Sequence, residues 1–251
     1  MLKIYLRGEN ISKSKIGGIN LVKNYNDVDL DERIAERSWM VQTQLLGRDI
    51  TDDAVLNSML IVPRHKYVRE DKQEYAYYDT ALEIEAAQTI SQPYIVALMA
   101  QALRLKASDT VLEIGTGSGY SAAVLSRMAE NIYTIERHKV LADQAKTRFN
   151  IQGYNNIEVQ VGDGTLGWPE KAPFAAILVT AGGPEIPDSL INQLTIGGRL
   201  VIPVGDKDEQ KLMRVTKTKT NGLIEEDLGS VRFVPLIGAK GWNKLNNMIL
   251  Q

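Results

Sequence analysis

The chain has 251 residues, 44% of them hydrophobic, with 29 basic and 31 acidic side chains and a formal charge of −2. That length suits one large α/β domain with a substantial core, and the dispersed basic residues leave no electrostatic footprint for nucleic acid. The absence of cysteine excludes disulfides and thiolate metal sites, His65 and His138 stand far apart without a metal-ligand pattern, and no apolar run approaches a membrane span.

Residues 1–30 are polar and rich in Asn and Lys, and read either as a loose extension or as a short strand from Leu2 to Leu6 with a tail. Met1 to Arg7 carries charge inside its apolar stretch and lacks a signal-peptide core, so a soluble, cytoplasmic protein is expected. A single domain is expected over 31–251. Its first part, 31–108, opens with a helical pattern marked by Ile34, Trp39, Leu45 and Leu46. Thr51 is a good N-cap for a second helix carrying Val55, Leu56, Met59 and Leu60, which Pro63 stops. The aromatic-rich stretch from Tyr67 to Tyr78 reads as an irregular lid, and Ser91-Gln-Pro93 opens a further helix with Pro in its first turn.

From residue 109 to 205, strand and helix alternate. Strands are expected at Thr110–Ile114, Ile132–Glu136, Ile157–Val161, Ala175–Thr180 and Arg199–Pro203, with helices such as Tyr120–Ala129 and Pro187–Leu194 among them. Such alternation predicts a doubly wound, mostly parallel sheet, a Rossmann-like α/β fold with helices on both faces. The part from 206 to 251 reads as an antiparallel finish, with strands at Lys211–Thr216 and Val231–Pro235. The basic residues between Lys211 and Lys219 alternate with apolar ones, as on the solvent face of a hairpin.

Val111-Leu-Glu-Ile-Gly-Thr-Gly-Ser-Gly119 carries the chemistry. Gly115, Gly117 and Gly119 remove each Cβ that would keep a ligand off the backbone, with Thr116 and Ser118 between them. Glu136 ends the next apolar run, at the spacing where nucleotide-binding sheets grip ribose hydroxyls. Dinucleotide folds place the third glycine where this chain has Tyr120. Glu113 would repel a pyrophosphate but offset a positive charge, so a cationic, phosphate-free nucleoside fits better. S-adenosyl-L-methionine is the expected cofactor, with no metal. Glu136, followed by Arg137, would accept hydrogen bonds from the ribose; Asp163 in Gly162-Asp-Gly164 would accept from the adenine amine; Thr180 follows the fourth strand.

Further segments sharpen this reading: Val62-Pro-Arg-His-Lys-Tyr67, Tyr77-Tyr-Asp79, Gln88-Thr-Ile-Ser-Gln-Pro-Tyr94, Gly162-Asp-Gly-Thr-Leu-Gly-Trp168, Val179-Thr-Ala-Gly-Gly-Pro-Glu-Ile-Pro187, Gly197-Gly-Arg-Leu-Val-Ile-Pro-Val-Gly205 and Val231-Arg-Phe-Val-Pro-Leu236. With the glycine loop they make the chain, over residues 37 to 238, resemble the protein-L-isoaspartate (D-aspartate) O-methyltransferase family. The resemblance implies a class I methyltransferase fold and methyl transfer to the free carboxylate of L-isoaspartyl, and possibly D-aspartyl, residues in damaged proteins or peptides, which starts repair through a succinimide. By the same resemblance Ser91 matches the active-site serine, and Thr89, Ile90, Tyr94, Thr180 and Ala181 line the substrate pocket. A helix-capping role for Ser91 is compatible with this. An isoaspartyl carboxylate is ionised at neutral pH, so the reaction calls for alignment and water exclusion rather than a strong base.

Ala87 stands where the family usually has Gly, Glu85 where a Gly is common, and Ala175 where an Asp often follows the aromatic. Two other readings keep the same cofactor: carboxyl methylation of a dedicated peptide in a biosynthetic pathway, and a non-catalytic adaptor. The intact Ser91, Glu136 and Asp163 argue against the adaptor, and no pattern sets an oligomeric state.

Overall fold

The structure is a computed structural model that describes residues 15–16, 19–20 and 33–242, apart from Lys207 and Asn221. Two short strands, β1 (Lys15–Ile16) and β2 (Ile19–Asn20), pair antiparallel near the N-terminus, while the strand expected at Leu2–Leu6 falls outside the described residues.

The apolar runs organise a seven-stranded sheet. Its parallel members are β5 (Thr110–Ile114), β6 (Asn131–Glu136), β7 (Ile157–Val161), β8 (Phe174–Val179) and β9 (Leu194–Gly205). β10 (Gln210–Lys217) and β11 (Leu223–Val231) complete it, with β10 antiparallel to both of its neighbours. The order is β11-β10-β9-β8-β5-β6-β7. β5 therefore lies between β6 and β8, and the chain winds away from it in both directions. That switch point opens a crevice beyond the carboxyl ends of β5 and β8, where ligands of such sheets sit.

Side chains along the central strands alternate between two buried layers, as a period of two requires. On β8, Ala176 and Leu178 join the core that includes Met40, Leu56, Val96, Tyr120 and Phe149. Ile177 and Val179 join the opposite core with Leu112, Ile114, Trp168, Leu200 and Ile202.

The first core is roofed by the N-terminal helices. α1 (Ile34–Trp39) continues as a π-helical stretch over Met40–Leu46, and Met40, Val41 and Leu45 are its buried points. Trp39 and Leu46, expected among the apolar points, remain partly exposed. α2 (Asp53–Ile61) is capped by Asp52 rather than Thr51: the Asp52 carboxylate accepts from the N–H groups of Ala54 and Val55 at 2.8 and 3.2 Å. A charged acceptor suits the positive end of a helix better than a hydroxyl. Buried Arg64 fastens the lid expected over 67–78: its Nε donates to the Ala76 carbonyl at 2.8 Å and its guanidinium stacks on Tyr120.

β3 (Leu82–Ile84) and β4 (Gln88–Ile90) form a hairpin ahead of α3 (Pro93–Ala102). Its turn passes through Ala86 and Ala87, both left-handed at φ 57° and 53°. α4 (Tyr120–Leu125) is shorter than the helix expected to reach Ala129; α5 (Lys139–Ile151) and α6 (Asp188–Asn192) complete the layers. The second antiparallel strand runs over Leu223–Val231, not Val231–Pro235. β11 is an edge strand with mostly exposed side chains, so Glu225, Glu226 and Asp227 are tolerated where an apolar pattern was sought. Beyond Val231 the chain leaves the sheet and Pro235 bridges to Gly182.

Candidate active site

The loop after β5 turns tightly enough to need glycine at alternate positions. Gly115, Gly117 and Gly119 have φ of +96°, +53° and +90°, which L side chains rarely adopt. A Cβ on Gly115 would collide with Thr180 Oγ1, and one on Gly119 would lie 2.7 Å from Phe149 Cζ. The Thr180 hydroxyl is shared between the carbonyls of Ile114 (3.0 Å) and Gly115 (2.7 Å), which ties the end of β8 to the glycine loop.

Glu136 closes β6 as a buried carboxylate. Its Oε2 accepts from the N–H of Gly117 and its Oε1 from the N–H of His138, each at 2.9 Å. Beneath the loop, Thr116 and Thr134 share a hydroxyl contact of 2.6 Å, and Thr134 Oγ1 also lies 2.6 Å from Glu113 Oε2. Burial pushes the Glu113 carboxyl up to about 7, with Glu136 raising it further, while hydrogen bonds from Thr134 and Ser121 pull the other way.

One cavity lies over this loop. Gly115, Thr116, Gly117, Ser118, Glu136, Arg137, Gly164 and Thr180, all candidates for the cofactor, line it, and so do Thr89, Ile90, Ser91 and Ala181 from the substrate set. Ser91 makes no hydrogen bond to a described residue. Its helix-capping role is not realised: Gln92 holds the cap position of α3 without a side-chain bond, and Asp79 Oδ1 accepts instead from the N–H of Tyr94 at 2.9 Å.

Four expected positions lie elsewhere. Glu113 is buried below the loop rather than on the cavity wall, because the inward alternation of β5 points it at Thr134. Gly119 serves the packing of α5. Asp163 is turned to structural work: Oδ1 accepts from Thr165 N–H and Oγ1 at 2.9 and 2.6 Å, and Oδ2 from Ala239 N–H at 2.7 Å. Tyr94 lines a second cavity, its hydroxyl donating to Asp49 at 2.7 Å. The sequence reading also missed wall residues, among them Ser121, His138, Leu236 and Ile237. His138, two residues after Glu136, could have been found from that spacing; Leu236 and Ile237 come from a distant return of the chain that no local pattern announces.

The second cavity, of about 480 Å³, meets the first. Thr89, Ser91, Thr180 and Val234 line both, and Arg48, Gln92, Tyr94, Ile95, Arg232 and Phe233 are among the others.

Solved structures that match along most of the chain place this fold among the class I methyltransferases that use S-adenosylmethionine. A protein-L-isoaspartate O-methyltransferase superposes with a TM-score of 0.74 at 28% identity, over 86% of this chain and 70% of that one. A β-aspartate methyltransferase from Plasmodium falciparum, crystallised in complex with S-adenosyl-L-homocysteine, gives 0.69 at 28% identity, over 80% and 98%. Among curated proteins, the protein-L-isoaspartate O-methyltransferase of Pelotomaculum thermopropionicum is 54% identical over 215 residues, covering 86% of this chain and 94% of that protein. Protein-L-isoaspartate O-methyltransferase 1 of Geotalea uraniireducens is 53% identical over 225 residues, covering 89% and 99%. The family model for protein-L-isoaspartate (D-aspartate) O-methyltransferase matches residues 36–241, and the chain belongs to that family.

Proposed function

We propose that this protein transfers a methyl group from S-adenosylmethionine to the free carboxylate of L-isoaspartyl residues in damaged proteins and peptides, the step that opens their repair. The observation that carries it is the meeting of two cavities at Ser91 and Thr180, one over the glycine loop and one beside it where a peptide would lie.

The residues present fit the cofactor. Gly115 and Gly117 both line the cavity, and at Gly117 the backbone lies open apart from the tip of Ile84. Each oxygen of buried Glu136 accepts one backbone N–H, leaving lone pairs for a ribose diol. When bound, the cofactor supplies an electrophilic methyl on a sulfonium. Gly115, Thr116, Gly117 and Ser118 would cradle it, with Glu136 at the ribose. Ser91, whose hydroxyl is uncommitted, would donate to the substrate carboxylate and hold one oxygen in line. Thr180 and Ala181 would close the same point from β8. An ionised carboxylate is already the nucleophile, so the residues bind, orient and exclude water, with no proton to remove.

On this reading residues 31–108 supply the substrate side, 109–205 the cofactor core and 206–251 the closing wall. Methyl transfer to an isoaspartyl peptide, set against its normal aspartyl twin, is the test. Transfer to the first alone is expected; equal transfer to both, or to neither, would overturn the proposal.

A further inference from the structure

The second cavity has two charged residues in its lining, Arg48 and Arg232, and they differ. Arg48 is neutralised in place: its Nη1 pairs with Asp79 at 2.9 Å, and its guanidinium lies 3.3 Å from the centre of the Tyr94 ring. Arg232 is exposed and has no hydrogen bond or ion pair with a described residue. Its backbone is nonetheless held in position. The buried Gln210 side chain clamps the next residue on both sides, accepting from Phe233 N–H at 2.9 Å and donating to the Phe233 carbonyl at 3.2 Å. On the other side, Val231 is paired with Gln210 in the sheet.

A positive charge without a partner among the described residues is thus carried on a fixed stretch of backbone, in the wall of a cavity that shares Ser91 and Thr180 with the first. Because the two cavities share Thr89, Ser91, Thr180 and Val234, polypeptide flanking an isoaspartyl residue at Ser91 would enter this cavity. Val231, Phe233, Val234 and Ile95 give it apolar surface, and Arg232 gives it a sign.

We infer that Arg232 sets a charge preference in the substrate: isoaspartyl segments with a carboxylate side chain beside the damaged residue are taken in preference to those with a cationic one. The inference rests on the proposed function and adds a specificity-determining residue to it. Attraction between exposed ions is modest and screened by salt, so the preference is expected to be about three- to five-fold at low ionic strength and smaller at high.

The experiment uses isoaspartyl peptides identical except for Ala, Glu or Lys at the two positions flanking the isoaspartyl residue. kcat/KM for methyl transfer is measured for the full chain and for Arg232→Gln and Arg232→Glu. The quantity read is the ratio of the Glu to the Lys peptide within each variant, which any loss of overall activity leaves untouched. A ratio of about three to five in the unmodified chain, near one in Arg232→Gln and below one in Arg232→Glu is expected. Equal use of the two peptides by the unmodified chain, or the same ratio in all three proteins, would overturn the inference. Transfer to the Ala peptide by the unmodified chain separates the two claims: its presence upholds the proposed function whatever the ratios, and its absence removes that function and this inference with it.

Discussion

Glu136 Oε2 accepts a hydrogen bond from the backbone N–H of Gly117 at 2.9 Å, so the carboxylate proposed to hold the ribose also holds the loop on which the cofactor would rest. Binding and preorganisation are carried by one side chain. Glu136→Ala would remove both, and charge-assisted hydrogen bonds are each worth about 1.5–3 kcal/mol. Calorimetric titration with S-adenosylhomocysteine is expected to show a loss of at least about ten-fold in affinity. Glu136→Gln keeps one acceptor oxygen for the two backbone N–H groups and is expected to fall between. Binding by Glu136→Ala as tight as in the unmodified chain would remove the ribose assignment.

Ser91→Ala is expected to lower turnover about ten- to a hundred-fold, the range for losing a hydrogen bond to a charged group, with cofactor affinity near that of the unmodified chain. Because Ser91 caps no helix in the structure, its melting temperature is expected to hold as well. A fall in melting temperature with turnover intact would assign Ser91 a structural part only.

Glu113 gives the protein a pH-dependent stability of calculable sign. In the folded chain this buried carboxyl keeps its proton up to about pH 7, whereas its ordinary value is 4.5. Between those values the folded state binds more protons than the unfolded one, so stability falls as pH rises through that window and the penalty is complete above it. The shift corresponds to a penalty on the order of 3 kcal/mol. Glu113→Gln retains an oxygen for Thr134 and carries no charge, so urea melts from pH 5 to 8 are expected to show a flatter profile and a more stable variant at pH 8. Identical slopes in the two proteins would refute the assignment.

Ala86 and Ala87 carry the turn of the β3–β4 hairpin at φ 57° and 53°, a conformation that costs a residue with a Cβ roughly 1–2 kcal/mol. Glycine relieves that cost and returns part of it as entropy of the unfolded chain. Ala87→Gly is therefore expected to stabilise the protein by about 0.5–1 kcal/mol, read as a higher urea midpoint at unchanged slope. A lower midpoint would mean that the left-handed turn is not the state the chain adopts in solution.

The parallel half of the sheet was legible because β8 is buried on both faces and reads as an unbroken apolar run, and β5 and β6 are apolar but for the buried Glu113 and Thr134 within them. The residues at their ends were legible for the same reason, since a charged Glu136 or a Gly115 interrupts such a run. β11 was not legible: an edge strand carrying Glu225, Glu226 and Asp227 satisfies its backbone through β10 and owes nothing to apolar pattern. Thr51 and Asp52 are both plausible caps in one dimension, and only the direction of the chain entering α2 separates them. The bonds of Asp163 were hidden for a different reason. Its position after β7 suits an adenine contact, but the segment that also engages its carboxylate, at Ala239, lies 76 residues further on. The second cavity escaped for the same cause, as Arg48, Tyr94 and Arg232 meet there from three distant parts of the chain.

That late return from Val234 to Trp242 is pinned by Asp163 at Ala239, by Thr165 at Lys240 and by Trp242 Nε1 on the Gly182 carbonyl at 3.0 Å, and it brings Leu236 and Ile237 to the wall of the cofactor cavity. Synthesis proceeds from the N-terminus, and domains fold as their residues emerge. The glycine loop and Glu136 therefore leave the ribosome about a hundred residues before the wall that covers them. A growing chain has Glu136 and the switch-point crevice but not their cover, and on the proposed assignment S-adenosylmethionine would contribute its full binding energy only once Ile237 is out.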